Sequence, residues 1–232
     1  MIPKVIHYCW FGGGEQPDNA KDCIESWKKT NPEFEIKLWN ELNFPFEKYP
    51  FMSRMYNEKR YAFVVDHARL AILKDEGGIF LDIDMFLLQP LEPLTWHECV
   101  IGEESDGMLN AAMIGARAGH PFIQKCLDFY DSNPEQIIPI PKIVTQVFAN
   151  YSEKDKVKVF PPQTFYPIDA EHISSFHGQD LGPDVIGVHL WNYSWGHPLN
   201  KFFKKIGIYY IGRRIVNKLG IKSFLKRIFR FI

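Results

Sequence analysis

The segment from Gly77 to Pro93 restricts the fold more than any other. Gly77-Gly78 opens it, IFLDIDMFLL (79–88) follows, and Pro90 and Pro93 close it. The run is apolar except for Asp82 and Asp84, and it reads as one buried strand. Two carboxylates at i and i+2 of a strand point the same way. Like charges side by side are unfavourable unless a cation or solvent compensates. A hard divalent cation with oxygen ligands does so, and it leaves positions open for phosphate oxygens. A bare D-x-D equally fits two solvated acids at a strand end. The apolar flanks set this one apart, because they bury the strand and leave the acids at its end.

The surrounding pattern alternates strands and helices. KVIHYCWF (4–11) reads as a first strand ending at Gly12-Gly13-Gly14. Asp18 is placed to cap a helix over about 19–30, with Ile24 and Trp27 on one face and Asn31-Pro32 ending it. A second strand follows over 34–39. Residues 62–75, AFVVDHARLAILKD, carry a helix pattern that Gly77-Gly78 ends in a left-handed conformation. Strands are expected near 99–102, 110–116, 156–160 and 185–190, and helices near 120–131 and 142–150. This is an α/β domain with a mostly parallel sheet. Ligands of such sheets bind at the carboxyl ends of the strands, where the Gly12–Gly14 loop lies.

The chain has 232 residues, of which 46% are hydrophobic and 24% charged, which excludes a disordered chain. A net charge of -1 excludes a uniformly basic nucleic-acid binder. That average conceals an asymmetry. Residues 201–232 hold ten Lys/Arg and no acid, whereas residues 1–200 hold 17 basic and 28 acidic residues. In 215–232 the apolar residues recur at three- and four-residue spacing between Lys218, Lys222, Lys226, Arg227 and Arg230. That is the pattern of a basic amphipathic helix on an anionic membrane, or of a helix packed on the domain with a solvated basic face. Two domains are read accordingly, 1–200 and 201–232. The four cysteines form no CxxC and read as reduced and buried. His7 and Cys9 have metal-ligand chemistry but sit in a strand pattern. The N-terminus is too short for a signal-peptide core, and no apolar run is long enough to span a membrane.

Four blocks carry a family resemblance: IPKVIHYCWFGGG, SWKKTNPEFEIKLWN, DHARLAILKDEGGIFLDIDMFLLQPL and HLWNYSW. In order and spacing they resemble glycosyltransferase family 32, the group with the DXD sugar-binding region. More distantly they are similar to the glucosylating toxins and family 8 transferases. The resemblance implies a GT-A fold and a retaining transferase that uses a nucleotide sugar, UDP-linked in the toxin-like pattern, with Mn²⁺ or Mg²⁺. It implies that Asp82 contacts ribose or sugar and reaches the metal indirectly, that Asp84 ligates it, and that His189 adds a ligand. Asp66 and Arg69 match a D-x-x-R that touches the donor. Trp10 matches an aromatic that stacks on the base, with Tyr8 and Gly12 beside it. Trp195 matches a tryptophan closing over the diphosphate, and Asn110 a polar residue lining the site. Phe80 departs from the tyrosine of many relatives.

The residues themselves leave alternatives open. Asp66 and Arg69 fit a buried ion pair or a solvated i,i+3 pair, and Arg69 equally fits a diphosphate clamp. His189 in GVHLW fits a ligand or a satisfied core histidine. An imidazole ligand favours Mn²⁺ over Mg²⁺. The expected reaction moves a hexose to a saccharide or lipid-linked saccharide in surface polysaccharide synthesis, such as that of a capsule. Front-face attack is favoured, because nothing marks Asp66 as a nucleophile. The rivals are a metal-dependent nucleotide-sugar hydrolase and a non-catalytic carbohydrate-binding protein. The expected location is cytoplasmic, peripheral on the inner face of the membrane, with no nucleic-acid partner.

Overall fold

A computed structural model describes residues 1–192. Trp195 and the basic segment 201–232 lie outside the described residues. In chain order the elements are β1 (Val5–Cys9), α1 (Ala20–Thr30), β2 (Glu35–Trp39), α2 (Pro50–Asn57), α3 (Tyr61–Asp75), β3 (Gly78–Leu81), β4 (Met85–Leu87), β5 (Cys99–Ser105), β6 (Met108–Ala116), α4 (Pro121–Ser132), α5 (Ile140–Ala149), β7 (Val157–Phe160), α6 (Pro162–Phe165) and β8 (Gly187–His189). Six strands form one sheet in the order β2-β1-β3-β6-β5-β7. The β1–β2, β1–β3 and β5–β7 pairs are parallel, and β6 runs antiparallel to both of its neighbours. This is the mixed, mostly parallel α/β sheet of a GT-A nucleotide-sugar-binding fold.

Strand alternation sends side chains into two cores. Cys9, Phe11 and Phe80 join the one built with α2 to α5, and Ile6, Tyr8, Ile79 and Leu81 join the one built with α1. Helix α2 is not anticipated by the sequence reading. Its signal is Pro50 at the first turn, followed by Phe51, Met52 and Met55 on one buried face. Helix α1 begins after Asn19, and no side chain caps it, so Asp18 is not its cap.

The expected strand over 79–88 is two strands in two sheets. β3 lies in the main sheet, and β4 pairs antiparallel with β8 in a separate ribbon. Asp82–Asp84 form the turn between them, closed by Met85 N–H donating to the Asp82 carbonyl at 2.9 Å. The break is physical. A continuous strand would hold two like charges on one face, whereas a turn lets them leave the ladder. Helix α1 holds the ribbon in place. Trp27 Nε1 donates to the Met85 carbonyl (2.6 Å), Ser26 Oγ accepts from Leu87 N–H (2.9 Å), and Asn31 Oδ1 accepts from Leu91 N–H (2.7 Å). Side chains of one helix thus do the work of a neighbouring strand.

Gly77 (φ +69°) and Gly78 (φ +103°) end α3 as expected. A Cβ on Gly78 would lie 2.7 Å from His7 Nε2. That imidazole is satisfied: Nε2 meets the Gly77 carbonyl at 2.9 Å, and Nδ1 accepts from Trp39 Nε1 at 3.1 Å. Both ring nitrogens are occupied, so the metal reading of His7 and Cys9 falls. All four cysteines are free and buried. Burial pushes their thiols up, which makes them inert packing groups. No helix among the described residues is long and apolar enough to cross a membrane.

His67 is buried among Tyr49, Phe51 and Tyr130, with ring centroids at 4.9, 5.9 and 5.2 Å. Among the described residues, its Nδ1 has no hydrogen-bond partner. Burial pushes this imidazole down to about 4 from an ordinary value of 6.5. The folded state therefore holds it neutral, and the stability this represents is complete above pH 6.5 and lost as pH falls through 4. The expected loss is about 3 kcal/mol. Urea unfolding across this range should show it, and His67→Phe should flatten the profile. An unchanged profile in that variant would remove His67 as the cause.

Candidate active site

Asp66 and Arg69 sit one turn apart on α3 and face the carboxyl end of β3. The Arg69 side chain is only 4% exposed. Its Nη2 lies 3.2 Å from Asp66 Oδ1 and 3.0 Å from Asp82 Oδ1. Nη1 donates to the Ala111 carbonyl, and the guanidinium lies 4.8 Å from the centre of the Phe80 ring. One cation therefore ties the helix to the first aspartate of the D-x-D. The solvated-pair reading of Asp66 and Arg69 is overturned, because a buried charge requires such partners.

The Ala111 carbonyl is available because the β5–β6 ladder is broken. Ile101 pairs with Ile114, and the next residue, Gly102, pairs with Asn110. Residues 111–113 are thereby released from β5. On the other side, Asp82 N–H donates to the Ala112 carbonyl (2.8 Å), and Asn110 Oδ1 accepts from Ala112 N–H (2.8 Å). Asn110 is thus joined to the D-x-D through one residue of backbone.

The second Asp66 oxygen accepts from Ile140 N–H at 3.1 Å, at the first residue of α5. Burial pushes the Asp66 carboxyl up to about 6, against the opposing pull of Arg69 and Ile140 N–H. Asp82 is also raised, by burial first and by the Asp84 charge, with Arg69 opposing.

His189 enters from β8, where its residue pairs with Met85. Its Nε2 lies 3.3 Å from Asp84 Oδ1, and Leu190 N–H donates to the Asp84 carbonyl at 2.9 Å. Burial disfavours the imidazolium. The Asp84 charge and hydrogen bond, with Asp82 and Glu104 behind them, outweigh it and hold His189 above the usual imidazole range. Ligand atoms of Asp82, Asp84 and His189 all lie within 4.8 Å of one another. Two ligands of one octahedral cation at about 2.1 Å stand about 3 Å apart, so the Asp84–His189 separation fits a shared ion. A donor set of two carboxylates and an imidazole suits a divalent metal ion. Tyr166 and Trp191 wall the imidazole, at centroid distances of 5.8 and 4.3 Å. Trp191 holds a positive φ of +54°, and its Nε1 donates to the Ile168 carbonyl at 2.9 Å.

At the end of β1, Trp10 Nε1 donates to the Gly14 carbonyl at 2.7 Å. Gly12 has φ +95°, and its N–H donates to Glu41 Oε1, which also accepts from Tyr56. A Cβ there would strike the Tyr61 ring at 2.5 Å. Tyr8 is buried edge-on to Trp27. The structure thus joins Asp66, Arg69, Asp82, Asp84, Asn110 and His189 in one contact network, with the Trp10–Gly12 loop on the neighbouring strand. The sequence reading does not include Tyr166, Glu104, Glu41 or the Ala111 carbonyl. Backbone groups leave no side-chain signature, and Tyr166 reaches the site only through the tertiary fold.

Two family descriptions match the chain. "Glycosyltransferase sugar-binding region containing DXD motif" covers residues 17–101, and "Alpha 1,4-glycosyltransferase conserved region" covers residues 115–205. The chain is 29% identical over 126 residues to inositol phosphoceramide mannosyltransferase 3 of Schizosaccharomyces pombe, a match covering 53% of this chain and 35% of that protein. It is 29% identical over 179 residues to lactosylceramide 4-alpha-galactosyltransferase of Mus musculus, covering 66% of this chain and 48% of that one. The chain therefore matches about half or less of the length of these two relatives. Among solved structures, the PaToxG glycosyltransferase aligns with a TM-score of 0.55 at 19% identity, over 64% of this chain and 69% of that one. The apo-form glycosyltransferase GlyE of Streptococcus pneumoniae aligns with a TM-score of 0.52 at 14% identity, over 95% and 64%. The fold is of the GT-A type, and the site carries the D-x-D that the first of the two family descriptions names.

Arg69 gives the test of this network. Arg69→Met leaves Asp66 and Asp82 buried without their cation, and it should cost about 3–5 kcal/mol in denaturant unfolding. A loss below 1 kcal/mol would show that the carboxylates do not depend on it.

Proposed function

We propose that the protein is a retaining transferase of the family 32 kind, which moves a hexose from a UDP-sugar, with Mn²⁺, to a lipid-carried saccharide at a membrane surface. The observation that carries the reading is the convergence of Asp82, Asp84 and His189 within 4.8 Å, beside a buried Arg69. The names of both relatives include ceramide acceptors, one receiving mannose and the other an alpha-linked galactose. They favour a glycolipid acceptor and leave the hexose open, so surface polysaccharide or capsule synthesis is one setting for it. UDP-hexoses carry an α-linked sugar, so an α product means retention.

Asp84 and His189 would hold the cation, with Asp82 at its edge. The metal would supply charge to the diphosphate as it leaves. Arg69 holds Asp82 in place, and Asp82 is the group that would accept a sugar or ribose hydroxyl. The Arg69 guanidinium is engaged by two carboxylates and a carbonyl, which favours this positioning role over a diphosphate clamp. Asp66 has both oxygens occupied, by Arg69 and by Ile140 N–H. That disfavours it as a nucleophile and favours front-face attack, in which the leaving phosphate oxygen takes the acceptor proton. Tyr166 and Trp191 shield the site from water, which limits donor hydrolysis. Trp10 would stack on the base.

A panel of UDP- and GDP-sugars with Mn²⁺ or Mg²⁺, with and without lipid-linked acceptors, tests this reading. Metal-dependent transfer is expected with one donor, and Asp84→Asn should lower it by at least about 100-fold, in line with loss of several kcal/mol of metal stabilisation. Trp10→Ala should weaken UDP binding without changing Mn²⁺ binding in calorimetry. Turnover that ignores every acceptor and ends in free sugar would favour the hydrolase instead.

The basic segment is assigned the membrane role, at the cytoplasmic face. Each Lys or Arg near an anionic surface contributes about 1 kcal/mol, and salt screens it. Deleting 201–232 should abolish co-sedimentation with phosphatidylglycerol-rich vesicles and leave donor hydrolysis intact. Equal sedimentation of full-length and truncated protein would refute the assignment.

A further inference from the structure

A third carboxylate stands at the edge of the site. Glu104 lies near the end of β5, where the pairing with β6 slips a second time: Glu103 faces Leu109, Ser105 faces Met108, and Glu104 between them has no partner residue. An unpaired residue of this kind bends the strand and re-aims its side chain. Its neighbour Glu103 is used by the hairpin, since Glu103 Oε1 accepts from Gly107 N–H. Glu104 is turned instead to Asn110, whose Nδ2 donates to Glu104 Oε2 at 2.7 Å.

Asn110 is itself buried and fixed. Its Oδ1 accepts from Ala112 N–H, and its carbonyl accepts from the Tyr166 hydroxyl at 3.2 Å. The Tyr166 ring lies over Gly102, where a Cβ would approach it to 2.8 Å, and it meets His189 edge-on. A chain of direct contacts therefore runs from Glu104 through Asn110 and Tyr166 to His189. Among the described residues, Glu104 Oε1 makes no hydrogen bond. The residue is half-buried, so this oxygen is an acceptor held on a rigid mount and left unspent.

We propose that Glu104 is a specificity-determining residue, whose free Oε1 accepts a hydroxyl of a hexose bound beside the metal cluster. This rests on the glycosyltransferase reading above. An ionised carboxylate is an acceptor only, so it selects for a hydroxyl hydrogen at one ring position. A hydrogen bond to a charged group is worth enough to discriminate epimers by about 10- to 100-fold. The hexose is that of the donor or that of the acceptor, and the two give different kinetics.

The test is Glu104→Gln in the full chain. Glutamine keeps the size, and its carbonyl still accepts from Asn110, but it presents an NH₂ donor where Oε1 stood. Mn²⁺-dependent hydrolysis of UDP-glucose and UDP-galactose is measured without acceptor, and transfer is measured with the acceptor found active in the panel. A change of about 10-fold or more in the UDP-glucose to UDP-galactose ratio assigns the hydroxyl to the donor. An unchanged ratio with the acceptor KM raised about 10-fold assigns it to the acceptor. In both cases the Mn²⁺–UDP affinity should be that of the parent protein. If neither the ratio nor the acceptor KM moves, in this variant or in Glu104→Ala, Glu104 only braces Asn110 and the proposal is overturned. If the parent protein turns over no UDP- or GDP-hexose with Mn²⁺, the glycosyltransferase reading of the site fails first, and this proposal with it.

Discussion

The site depends on one buried cation. Arg69 lies under the sheet's carboxyl end and is shared by Asp66, Asp82 and the Ala111 carbonyl. Burying a guanidinium costs several kcal/mol, and only surrounding acceptors offset it. Each acceptor comes from a different element: α3, the end of β3, and the released stretch of β6. The arrangement therefore holds a helix, a strand end and a bulge in one register. Phe80 lies under the guanidinium, an apolar surface that adds no competing acceptor. The departure from tyrosine noted in the sequence thus falls at a position where packing against Arg69 is the observed role.

A second constraint follows from the D-x-D. Two carboxylates could not continue an apolar strand on both sides, so the chain turns and enters a second, two-stranded sheet. That turn makes the metal cluster. β4 leaves the main sheet, β8 pairs with it, and His189 arrives opposite Met85, within 3.3 Å of Asp84. The ribbon has no third strand among the described residues. Trp27, Ser26 and Asn31 of α1 and its end serve its backbone groups instead. The position of a residue 105 places away in sequence is set by hydrogen bonds to a helix near the N-terminus.

Much of this was legible in the residues. The two glycines after α3, the alternation of strands and helices, and the acids framed by IFL and MFLL all mark their places by local chemistry. Asp66 and Arg69 stood out as charges in an apolar helix, and buried charges need partners. His189 stood out as a polar residue between apolar ones. His7 stood out in the same way, yet it is a satisfied core histidine, because Gly77 and Trp39 occupy both its nitrogens. The same local signal thus led to a site residue once and to a core residue once. Only the neighbours brought in by the fold tell them apart.

The sequence by itself determined the class of chain: an α/β domain carrying a D-x-D at a strand end, with an acidic body and a basic segment after it. Periodicity, turn residues and charge are local properties, and they survive in any fold the chain adopts. The tertiary structure decided what those residues do. It split the expected strand into two and removed Asp18 as a helix cap. It also showed Arg69 bridging two carboxylates where the sequence left a clamp open. It brought Tyr166 to His189 and freed Glu104 from its hairpin, through slips in β-pairing that no side-chain pattern records. Register between distant strands is set by packing on both faces of the sheet, and that is a property of the assembled chain.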